Sequence, residues 1–67
     1  MISKRLKELR KAHNWTQQKL AEKAGLSFNA ITKIEQGAAE HPTLKTLIKL
    51  ARALGIGLDE LVGFKKS

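Results

Sequence analysis

Three side chains between positions 29 and 33 are of types that read the edges of DNA bases: Asn29, Thr32 and Lys33. Asparagine pairs with adenine in the major groove, lysine with guanine, and threonine offers a hydroxyl or a methyl. At about 100° per residue on a helix, Phe28, Asn29, Thr32, Lys33 and Gln36 share one arc, and positions 30, 31 and 34 lie opposite. Phe28 admits two readings. It can meet the methyl group of thymine, or it can lean on Leu26 or the preceding helix as peripheral core. Ser27, at the start of this helix, is counted with the DNA-contacting group. Gln17 stands at the start of the helix before it, where free backbone amides and the positive helix end suit a phosphate oxygen. Its plainer reading is an ordinary solvated glutamine.

No other chemistry is spelled out. His13 and His41 are far apart, only Glu40 is adjacent to either, and the chain has no cysteine. Loop histidines are expected, without a metal, and disulfides, thiolate sites and cysteine nucleophiles are excluded. There is no glycine-rich phosphate loop, nucleophile elbow or His-Glu metal helix. An enzyme-sized pocket is hard to enclose in 67 residues. Neither an enzyme nor a cofactor is expected.

Charge points to the partner. Lysine and arginine number 13 against 6 acids, for a net charge of +7. Two copies would carry +14. Such an excess suits a polyanion, either nucleic acid or an anionic membrane surface. No apolar run approaches the length of a membrane span, and no signal peptide is read at the start, so a cytoplasmic protein is expected. The first helix is basic and amphipathic, as a membrane-surface helix would be. Its stripe of Ile2, Leu6 and Leu9 carries no aromatic residue. Packing against helices four and five explains it better.

The elements that must hold these residues follow from spacing and caps. Ile2, Leu6 and Leu9 predict a first helix ending around 12–14. Thr16 caps a second helix that runs to about Ala24, with Trp15 and Leu20 at hydrophobic-staple spacing and Gly25 closing it. Ser27 caps a third, with Leu26 and Ile31 as the staple, Ile31 and Ile34 inward and Gly37 at its end. Pro42 keeps His41 out of helical geometry. Thr43 caps a fourth, with an inward stripe of Leu44, Leu47, Ile48, Ala51 and Leu54, ended by Gly55. Gly57 opens a short fifth, with Asp59 and Glu60 in its first turn, where the helix dipole favours acids. Two short helices joined by Gly25-Leu26-Ser27 must cross steeply, and Ala21 permits close approach. That is a helix-turn-helix over about 16–36. One domain over 1–64 and a basic tail over 65–67 complete the reading.

The pattern resembles the phage repressor/Cro family of helix-turn-helix proteins, including xenobiotic-response-type regulators. The resemblance rests on Leu9-Arg10, Trp15-Thr16-Gln17, Leu20-Ala21, Gly25, Ser27, Ile31, Ile34-Glu35 and Gly37. It continues through Pro42-Thr43-Leu44, Leu47, Leu50-Ala51, Leu54-Gly55 and Leu58-Asp59-Glu60-Leu61, and so covers about 2–63. It implies an all-α, compact five-helix, lambda-repressor-like domain with its third helix in the major groove. It also implies a backbone contact from Gln17 and a largely buried structural ion pair between Arg10 and Glu35. Phe28 departs from the polar residue often found at its position.

The function expected is sequence-specific binding of double-stranded DNA by a transcriptional regulator, a repressor, acting as a homodimer on a palindromic operator. Ile56, Leu58, Leu61 and the loop near Pro42 are the candidate dimer contact. The alternative is a DNA-binding antitoxin whose main role is to bind a partner protein.

Overall fold

A computed structural model describes residues 2–38 and 42–63. Five helices follow one another: α1 (Ile2–Ala12), α2 (Gln17–Ala24), α3 (Phe28–Glu35), α4 (Leu44–Leu54) and α5 (Leu58–Val62). The described residues contain no strand. The all-helical expectation and the order of elements hold. The tail at 65–67, Phe64 and His41 lie outside the described residues.

The helix ends form where the capping residues put them. The hydroxyls of Thr16, Ser27 and Thr43 accept from the amides of Lys19, Ala30 and Thr46 at 3.0, 3.0 and 3.2 Å. Each satisfies an amide that has no partner inside its helix. Gly25 closes α2 at φ 69°, and the next amide, of Leu26, donates to the carbonyl of Ala21 at 2.9 Å. The end of α1 uses a different residue. Asn14 adopts φ 59°, a left-handed geometry that asparagine tolerates better than most side chains.

Leu6, Leu20, Ile31, Leu50 and Leu61 are fully buried, and Ala21, Ala24, Ile34, Ala51 and Leu54 nearly so. Every helix thus contributes to one core. Trp15 and Leu26, the leading residues of the two staples, pack against it from the edge. α3 sits between α2 and α1, and α4 joins α2 to α5.

Three expectations need correction. The first helix packs on α3 and α5, rather than on α4 and α5. The inward stripe of α4 is Leu47, Leu50, Ala51 and Leu54, whereas Leu44 and Ile48 face outward at 61% and 41% exposure. The helix is rotated so that Leu50 enters the core; Leu44 and Ile48 hold one edge of a stripe too wide to be covered whole. Leu61 is completely buried, so it cannot contribute to a dimer contact.

Candidate nucleic-acid interface

α3 is short, eight residues, or about 12 Å at the helical rise. Ile31, Ile34 and Glu35 hold it down. Its other side carries Phe28, Asn29, Lys33 and Gln36, all exposed, with Thr32 half-buried beside them. The Thr32 hydroxyl donates to the carbonyl of Asn29 at 2.9 Å. That spends its proton within the helix. Ser27 is exposed, but its hydroxyl is engaged as the cap of α3.

The arc has two flanks. Asn29 and Lys33 border an open cleft of about 360 Å³, shared with Ser27, Ala30, Ile34, Pro42 and Thr46. By the 100° rotation per residue, Phe28 and Thr32 lie on the opposite flank. Ala30, expected to point inward, is only half-buried because it stands at the edge of this cleft.

Behind α3 lies a polar cluster. The Arg10 Nε donates to Glu35 Oε2 at 2.7 Å and its Nη2 donates to Oε1 at 3.1 Å. The remaining guanidinium nitrogen donates to the carbonyl of Trp15 at 2.8 Å. The side chains are 13% and 1% exposed, so the ion pair is largely buried, as the resemblance implies. A buried carboxylate needs such a fork, because an unpaired charge is costly away from water. The cluster has a third member. Gln17 Nε2 donates to Glu35 Oε1 at 3.0 Å, and Gln17 is half-buried rather than solvated. One of its two amide protons is held inside by Glu35, and the amide carries a second to offer. Nothing in the sequence pointed to this bond, since its partners lie 18 positions apart.

Two other polar residues have structural duties that sequence reasoning did not assign. The Arg5 Nε donates to the carbonyl of Glu60 at 3.0 Å and ties α1 to α5. The His13 ring stacks on Trp15, with centroids 4.4 Å apart. Among the described residues, no three of His, Cys, Asp and Glu gather as metal ligands, and no helix is long and apolar enough to cross a membrane.

This arrangement is that of two short helices crossing at a tight glycine turn, with the second packed by one face and open on the other. A helix-turn-helix family model matches residues 6–61. The cryptic phage CTXphi transcriptional repressor RstR of Vibrio cholerae is 44% identical over 62 residues, covering 92% of this chain and 54% of that protein. The immunity repressor protein of Bacillus phage phi105 is 42% identical over 62 residues, covering 92% of this chain and 42% of that one. An uncharacterized HTH-type transcriptional regulator of Methanocaldococcus jannaschii, MJ0272, is 37% identical over 60 residues, covering 90% and 89%. The chain spans about half the length of RstR and less than half that of the phi105 repressor. The packed core, the tight turn at Gly25 and these matches establish that the chain belongs to the helix-turn-helix family of the phage repressor/Cro type.

Proposed function

We propose that this chain is a sequence-specific, double-stranded DNA-binding transcriptional regulator that works as a repressor. The observation that carries the reading is α3 itself. Ile31, Ile34 and Glu35 anchor it, and it presents Phe28, Asn29, Lys33 and Gln36 to solvent, in a chain of net charge +7. Asn29 and Lys33 read base edges, and Thr32 and Gln36 flank them. Gln17 turns its second amide proton to a phosphate at the start of α2.

A homodimer on a palindromic site follows from the size of the reading element. About 12 Å of helix spans roughly four base pairs at 3.4 Å each. So short a word is too common to select a site. A second copy one helical turn away, about 34–36 Å, doubles it. Leu44 and Ile48, exposed one turn apart on α4, and the half-buried Ile56 and Leu58 supply an apolar contact for that copy.

The test is a mobility shift on duplexes selected from random oligonucleotides, repeated across salt concentrations. With roughly 6–10 phosphate contacts per dimer, log affinity should fall against log salt with a slope of about −5 to −9. A flat response, or no enriched sequence, defeats the reading. Sedimentation of the complex should show two chains per site.

A further inference from the structure

Phe28 is a large apolar side chain at the first position of α3, 49% exposed and outside the apolar cluster of the core. The cap that fixes its backbone belongs to Ser27, so the ring is not needed to start the helix. Core packing does not explain it either, since Leu26 fills the edge position between α2 and α3. The ring stands beside exposed Asn29 and, one turn on, Thr32. An aromatic ring there gains nothing in water and gains by covering apolar surface.

Resting on the proposed DNA reading, we infer that Phe28 reads the C5-methyl group of a 5-methylpyrimidine, thymine by default, once in each half-site. Among the groups that the four bases show in the major groove, that methyl is the apolar one; the others are hydrogen-bond donors and acceptors. In helix-turn-helix proteins the N-terminal residues of the reading helix approach the base edges, and Phe28 is the first of them. Phe28 lies on the flank opposite Lys33, so the thymine belongs at the other end of the half-site from the base that Lys33 contacts. Cytosine lacks the methyl and is rejected there, whereas 5-methylcytosine carries it and regains part of the affinity.

The test is a set of duplexes carrying the selected site with single thymine-to-deoxyuracil replacements, which remove the methyl and keep the pairing. Wild-type protein should lose about fourfold in affinity at one position per half-site, and about fifteenfold when both half-sites are replaced. At that position 5-methylcytosine should bind better than cytosine. Phe28→Ala, checked for an unchanged melting curve, should bind thymine and deoxyuracil alike, and Phe28→Leu should keep part of the difference. If wild-type binds the site but no deoxyuracil position matters, this inference falls and the DNA reading stands. A deoxyuracil effect that persists in Phe28→Ala also overturns it, because another group then reads the methyl. If wild-type binds no duplex, the proposed function fails and takes this inference with it.

Discussion

Glu35 collects three side-chain hydrogen bonds, two from Arg10 and one from Gln17, at 2.7, 3.1 and 3.0 Å. Its two donor residues do different work. Arg10 commits three of its five N–H donors to Glu35 and the Trp15 carbonyl and is largely buried, which suits it to structure rather than to a phosphate. Arg10→Ala should therefore cost about 3–5 kcal/mol of stability, chiefly by leaving a buried carboxylate unpaired. Urea unfolding measures the loss, and the salt slope of DNA binding by the folded protein should not change. Gln17 works on both sides. Its removal takes a donor from a buried charge, a loss of about 1.5–3 kcal/mol, and removes the proposed phosphate contact as well. Gln17→Ala should lower both the unfolding midpoint and the affinity, with the selected sequence motif intact, since phosphates carry no sequence information. Lys33→Ala and Asn29→Ala should do the reverse. Each should leave stability alone, cost about 1–3 kcal/mol of binding and flatten one position of each half-site. The same oligonucleotide selection on each variant separates the two patterns.

The turn between α2 and α3 sets how steeply they cross, and Gly25 sets the turn. A methyl group there would meet nothing within 4 Å, so crowding is not the obstacle. The obstacle is the backbone at φ +69°, which costs a residue with a Cβ about 1–2 kcal/mol. Gly25→Ala should lower stability by that amount in thermal unfolding, and Gly25→Asn by less. This element was legible in the sequence because its signals are local: Thr16 and Ser27 cap, Gly25 closes, and Ile31 and Ile34 repeat at helical spacing. The Arg10–Glu35 pair was legible only through family resemblance, since 25 positions separate its partners. The rotation of α4 was not legible. Leu44, Leu47, Ile48, Leu50, Ala51 and Leu54 make a stripe wider than the core can cover, and only packing decides which edge stays wet. The end of α1 falls at 12–14 as its spacing predicts, but the residue that closes it was not legible. Asn14, rather than a glycine, takes the left-handed position, and asparagine is equally at home in a cap or a loop.

At the scale of the whole molecule, the backbone extends 34 Å along its longest axis, about the distance between half-sites one helical turn apart. Two copies can therefore lie side by side along one face of a duplex and meet through residues at their flanks. Leu44→Asp with Ile48→Asp should abolish that meeting without unfolding the chain, because both side chains are already exposed. Sedimentation should then show one chain per site and a salt slope about half as steep. A variant that still binds in pairs would move the contact elsewhere, with Ile56 and Leu58 the next to change. The tie between Arg5 and the Glu60 carbonyl joins residues 55 positions apart. A ribosome adding about 5–20 residues per second makes Arg5 roughly 3–11 s before Glu60. For that interval α1 exists without α5, and the side of Leu6 and Arg5 that α5 will cover faces water or a chaperone. Of the five helices, the first made is among the last to be enclosed, and the nascent domain is most open to proteases and to other nascent chains while α1 waits for α5.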